Sequence, residues 1–167
     1  MPESCFVALG ANLGDPAATV RAALDELRRL PDARFIAASS LYRTAPVGLR
    51  HQPDFINAVV RLEVDPAVLP PSTLLERLFA IEARFGRRRS IPNAPRTLDL
   101  DLLLYGDRVS DDRHCTLPHP RAHERAFVLA PLAEIDPALA IAGRGTVAEL
   151  LRTCAGQDIE RLADVPA

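Results

Sequence analysis

From Phe55 to Val64 the chain alternates without a break. Ile56, Ala58, Val60, Leu62 and Val64 fall on one side, and Phe55, Asn57, Val59, Arg61 and Glu63 on the other. Successive residues of a strand point to opposite faces, so this stretch reads as a strand with one buried face. Phe55 and Asn57 then stand side by side, turned away from the main core. A second alternation over 97–105 sets Leu98, Leu100, Leu102 and Leu104 against Asp99 and Asp101. Two strands with one greasy face each need helices to cover them.

The rest of the chain supplies those helices. Residues 4–10 read as a first strand, and Asp15-Pro16 can cap and open a helix that carries Val20, Ala23, Leu24, Leu27 and Leu30 at helical spacing. Residues 34–42 read as another strand, and 43–54, with two prolines and a glycine, as a long loop. Thr73 and Glu76 have the spacing of a capping box, predicting a helix from Thr73 through Leu78 and Ile81 to Phe85, ended by Gly86. The order strand, helix, strand, strand, helix, strand predicts an α+β, ferredoxin-like βαββαβ antiparallel sheet, with helices on one face and the other face free for a site. After Gly106 a turn at Asp111-Asp112, an apolar stretch at 126–135 broken by Pro131, and a last helix capped by Thr146 with Glu149 make a C-terminal extension. A length of 167 residues fits one domain, 1–167.

Composition narrows the function. With 48% hydrophobic and 25% charged residues the chain is of globular type. No apolar run approaches the roughly 18 residues of a membrane span, and the first residues lack the pattern of a secretory leader, so a cytoplasmic location without membrane contact is expected. The three cysteines, Cys5, Cys115 and Cys154, have neither disulfide-framework nor zinc spacing and are expected to be reduced thiols. A net charge of -2 argues against a general nucleic-acid binder. All 20 basic residues are arginine, which rules out any mechanism that needs a Walker A lysine, a kinase lysine or a Schiff base.

Asp99 and Asp101 lie two apart on a strand, so both carboxylates leave the same face about 6 to 7 Å apart. Aspartate is disfavoured inside strands, and two hard oxygen donors at that distance suit magnesium. Arg84, Arg87, Arg88, Arg89 and Arg96 precede them with no acid between Arg84 and Asp99. Guanidinium forks match phosphate oxygens, so a basic loop beside an acidic strand fits a metal–nucleotide site. A solvated sheet face and a solvated charge run are the bland readings of the same residues. Paired aspartates also serve metal-dependent nucleases and sugar transferases, and ferredoxin-like sheets bind RNA, although an RNA platform would present aromatics where this sheet presents acids.

In several ordered blocks the chain resembles the hydroxymethyldihydropterin pyrophosphokinase family. The blocks are the run 8–15 (ALGANLGD), Tyr42-Arg43-Thr44, the run 52–58 (QPDFINA), the run 95–101 (PRTLDLD) and Leu117-Pro118-His119-Pro120. The resemblance implies transfer of the β,γ-diphosphate of ATP to 6-hydroxymethyl-7,8-dihydropterin, giving AMP and the pterin diphosphate, on the way to tetrahydrofolate. It implies that Asp99 and Asp101 bind two Mg2+ ions with ATP, and that Arg87 and Arg96 act on the transferred diphosphate. Glu82, Arg89, Arg96, Leu102, Thr116, His119 and Arg125 match positions that line ATP. Phe55, Asn57 and Phe127, with backbone of Thr44, Ala45 and Val47, match the pterin pocket. The partners implied are these two small molecules, with no nucleic acid, no membrane and no obligate protein partner.

Overall fold

A computed structural model describes residues 1–45, 52–86 and 97–162. Its elements are β1 (Glu3–Ala11), α1 (Pro16–Arg28), β2 (Ala33–Ala38), β3 (Tyr42–Thr44), β4 (Phe55–Val64), α2 (Pro71–Arg84), β5 (Asp99–Tyr105), a 3-10 turn (Ala122–Glu124), α3 (Ala126–Ile135), β6 (Ala140–Ile141), β7 (Gly145–Thr146), α4 (Val147–Arg152) and β8 (Ile159–Arg161). One sheet runs β5-β1-β4-β3-β8, with β2 paired to the remaining length of β4. Every pairing in it is antiparallel. This is the expected ferredoxin-like sheet, with its second strand split in two: the reading of 34–42 as one strand is corrected to β2 and β3.

Helix α1 starts as its sequence dictates, Asp15 Oδ1 accepting from the Ala18 N–H at 3.2 Å and Pro16 occupying the first turn. Helix α2 does not use the Thr73/Glu76 box. It begins two residues earlier at Pro71, with Pro70 as the cap residue and no side-chain cap bond. Proline suits a first helical position because its missing N–H would have had no helical partner there. Gly86, at φ 78°, closes α2 in the left-handed region that glycine enters without a steric penalty. Leu24, Leu27, Leu74, Leu78 and Ile81 of these helices bury against Val7, Leu9, Ala58, Val60, Leu100 and Leu102 of the sheet.

The opposite face is less open than the sequence suggests. Helices α3 and α4 cover part of it, packing Val128, Leu129, Leu132 and Val147 against Phe6, Val59, Leu103 and Leu104 in a second core. Leu104 belongs there because β5 carries a bulge: Phe6 pairs with Leu104 and Val7 with Leu102, leaving Leu103 as an extra residue. Two residues opposite one reverse the side-chain parity, so Leu104 leaves the face of Leu98, Leu100 and Leu102 that its spacing predicts. The stretch 126–135 is one continuous helix, with Pro131 buried inside it rather than breaking it. Pro131 lacks the N–H that would bond one turn back, at a cost of about 3 kcal/mol in an unsupported helix. Here burial of its apolar neighbours offsets that cost. The final helix is capped as expected, the Glu149 N–H donating to Thr146 Oγ1.

A polar knot fastens this second layer. Glu134 of α3 accepts from the Ser40 N–H at 3.0 Å, the Ser40 hydroxyl at 2.9 Å, the Tyr42 hydroxyl at 2.7 Å and Arg161 at 3.2 Å. Burial opposes the Glu134 charge, but the bonds from Tyr42 and Ser40 outweigh it and hold the carboxyl below its ordinary 4.5. A carboxyl depressed in the fold contributes stability above its unfolded value and loses it as pH falls through the folded one. Glu134→Gln is therefore expected to lower unfolding free energy by about 1 kcal/mol or more at pH 7, with the deficit shrinking below pH 4.5. Denaturant melts of both proteins across pH 3 to 7 check it.

Candidate active site

The floor of the site is the row of backbone pairs across the central strand. Gly10 of β1 pairs with Asn57 of β4 on one side and Asp99 of β5 on the other. Ala8 likewise pairs with Val59 and Asp101. Neighbouring strands lie about 4.8 Å apart, so the Asn57 and Asp99 positions are roughly 9 to 10 Å apart across a gap kept low by residues with little or no side chain. Gly10 is needed for more than flatness. A Cβ there would stand 3.2 Å from Asn57 Oδ1, a contact tight enough to displace the amide.

Above this floor is a cleft of about 710 Å³. Thr44, Ala45, Phe55, Asn57 and Phe127 line it, all of them sequence-predicted pterin residues, together with Asp99, Asp101, His119 and Arg125. Asn57 is buried, and its Nδ2 donates to Thr44 Oγ1 at 2.8 Å, which fixes the amide plane. The Arg125 guanidinium lies 5.4 Å over the Phe127 ring. Arg125 thus stands in this cleft, although the resemblance placed it at the nucleotide.

A second cleft of about 580 Å³ lies beside the first. Leu102 and Thr116, which the resemblance gives to the nucleotide, line it, and Asp101 and His119 line both clefts. Glu82 lines neither. It is 1% exposed, and its Oε2 accepts from the Leu100 N–H at 2.7 Å, directly between the two aspartates. The resemblance gives Glu82 to the nucleotide, and among the described residues it braces β5 from behind. Arg87, Arg89, Arg96 and Val47 lie outside the described residues, as does most of the arginine loop.

His119 is held at both ends, its N–H donating to the Leu103 carbonyl at 2.8 Å and its Nδ1 accepting from the Arg121 N–H at 3.2 Å. An accepting Nδ1 leaves the neutral ring its proton on Nε2, a donor at the junction of the clefts. Burial, then the charge of Arg125, push its pKa below the ordinary 6.5, while Asp99 pulls the other way.

The donor set can be tested against magnesium. Asp99 and Asp101 are both partly accessible on the cleft face, with Leu98 and Leu100 buried on the other. Among the described residues no three His, Cys, Asp or Glu side chains gather into a full metal cage. Magnesium is commonly held by one or two carboxylates, with phosphate oxygens and water completing its octahedron. Two aspartates beside a cleft therefore fit that ion. The three cysteines are free thiols, and no helix among the described residues is long and apolar enough to cross a membrane.

An antiparallel α+β sheet with two carboxylates on its cleft face, one of them shared by two adjacent clefts, has the layout of an enzyme site with room for two ligands. Residues 6–137 match the family described as 7,8-dihydro-6-hydroxymethylpterin-pyrophosphokinase (HPPK). The chain is 43% identical to 2-amino-4-hydroxy-6-hydroxymethyldihydropteridine pyrophosphokinase of Pseudomonas aeruginosa, over 97% of this chain and 98% of that one. It is 44% identical to the protein of the same name in Methylorubrum extorquens, over 94% and 97%. The fold is similar to that of the Plasmodium falciparum HPPK-DHPS in a crystal structure with pteroate, at a TM-score of 0.66 and 13% identity, covering 92% of this chain and 42% of that one. This chain belongs to the HPPK family.

Sequence reasoning missed Ala8 and Gly10 as site residues, because only strand register sets them between Asn57 and Asp99. It also missed Gln157, which lines the first cleft from far along the chain. In a proton NMR titration His119 is expected to titrate below 6.5, and Arg125→Ala to move that midpoint upward without fully restoring it, because burial remains.

Proposed function

We propose that this chain transfers the β,γ-diphosphate of ATP to the hydroxymethyl group of 6-hydroxymethyl-7,8-dihydropterin, giving the pterin diphosphate and AMP in tetrahydrofolate biosynthesis, with magnesium at Asp99 and Asp101. Membership of a family described by this activity supports the reading. The observation that carries it is the sharing of Asp101 and His119 by two clefts, one of which holds Phe55, Asn57 and Phe127.

The first cleft suits a flat heterocycle. Phe55 and Phe127 offer ring faces, and the fixed Asn57 amide offers a donor and an acceptor to the edge of a pterin. The second cleft takes ATP along Leu102 and Thr116, so that its β-phosphorus comes to the junction. The hydroxymethyl oxygen then displaces AMP in line, and binding both partners in one geometry removes much of the entropic barrier. Magnesium, when bound, supplies neutralisation of the phosphate charge and orients the reacting groups. His119 Nε2–H is placed to donate to a phosphate oxygen, and its neutral form keeps that donor in one tautomer. Glu82 keeps both aspartates aimed forward through the Leu100 amide. Arg87 and Arg96 are assigned the diphosphate, and Arg89 the nucleotide, by family resemblance.

AMP rather than ADP is the expected product, released only when pterin, ATP and magnesium are all present. Stoichiometric ADP contradicts the reading. Asp99→Asn and Asp101→Asn are each expected to stay folded and to lose on the order of 100-fold or more in turnover, because each removes a ligand charge that stabilises the transition state. Turnover assays beside thermal melts decide it.

A further inference from the structure

Helix α3 begins at Ala126 with Arg125 as its cap residue and no side-chain cap of its own. The first N–H groups of a helix have no helical partner, and arginine carries no acceptor to satisfy them. Gln157, 31 residues further along, fills that role. Its Oε1 accepts from the Ala126 N–H at 2.9 Å, and its Nε2 donates to the Glu124 carbonyl at 2.9 Å. One amide thus brackets Arg125 on both sides, in the backbone that aims Arg125 and Phe127 into the cleft. Two residues on, Ile159 pairs with Thr44, the residue whose hydroxyl fixes Asn57. The segment 157–159 therefore ties both walls of the first cleft together.

We propose that Gln157 is a positioning residue for pterin: it clasps the Arg125–Phe127 wall to the Thr44–Asn57 wall and acts through them. Gln157 is itself exposed and fills no core volume, so removing it leaves no cavity to destabilise the fold. Its effect falls on the geometry of the pterin side and spares the nucleotide side, which Leu102 and Thr116 form without it.

The inference rests on the proposed reaction, and one experiment separates the two. Steady-state kinetics with both substrates are measured for wild type, Gln157→Leu and Gln157→Glu, with thermal melts and the amide spectrum at Ala126. Gln157→Leu is expected to raise the KM for pterin roughly tenfold, the scale of a lost helix cap, and to leave the KM for ATP within about twofold. Its Tm falls by no more than about 2 to 4 °C, the scale of one lost cap bond in a chain of this size, and the Ala126 amide exchanges faster. Gln157→Glu keeps the acceptor for Ala126 and recovers part of the loss; should Gln157→Leu not fold, Gln157→Glu is expected to show the same one-sided rise to a smaller extent. Both KM values moving together with Tm, or an unchanged pterin KM in an active enzyme, overturns the inference alone. A wild-type protein that makes no pterin diphosphate overturns the assigned reaction and the inference with it.

Discussion

The register of β1 between its two neighbours holds the site together. Gly10 pairs with Asn57 and Asp99, and Ala8 with Val59 and Asp101, so one strand sets the distance between the buried amide of Asn57 and the two carboxylates that line the same cleft. Side chains alternate along a strand, and a slip of one residue on β5 would turn both aspartates into the core and Leu100 and Leu102 outward. That exchange is prohibitive, because it buries two charges and exposes two leucines at once. The register of the site is therefore enforced by the same burial that folds the protein.

Glu82 adds a second level of enforcement. A carboxylate that is 1% exposed must be compensated, and the Leu100 N–H is part of that compensation. The bond locks helix α2 to β5 at the residue between the two aspartates. Behind the cleft, the Glu134 knot and the clasp at Gln157 do the same for the C-terminal layer, joining α3 to the β2–β3 linker, β3 and β8 through side chains far apart in sequence.

Much of this was legible in the residues. Strict alternation in β4 and the first half of β5 placed Asn57, Asp99 and Asp101 on one face, and Asp15-Pro16 located α1. What failed to read out had physical reasons. The Thr73/Glu76 box was outcompeted by a proline start, the bulge at Leu103 reversed a parity that spacing alone predicts to continue, and Pro131 was carried inside a helix by packing. Glu82 and Gln157 act through contacts 18 and 31 residues away, which no local pattern announces. The second layer of helices was missed as a cover for the sheet because its apolar stretch is short and interrupted by a proline.

The central claim is that chemistry takes place where the two clefts share Asp101 and His119. Manganese in place of magnesium, added with an unreactive ATP analogue, broadens amide signals steeply with proximity. The account predicts that Ala8, Gly10, Leu100, Leu102 and His119 broaden first, and that Asp99→Asn with Asp101→Asn abolishes the effect. Broadening centred on α4 or the β2 edge, with those five signals still sharp, would contradict it.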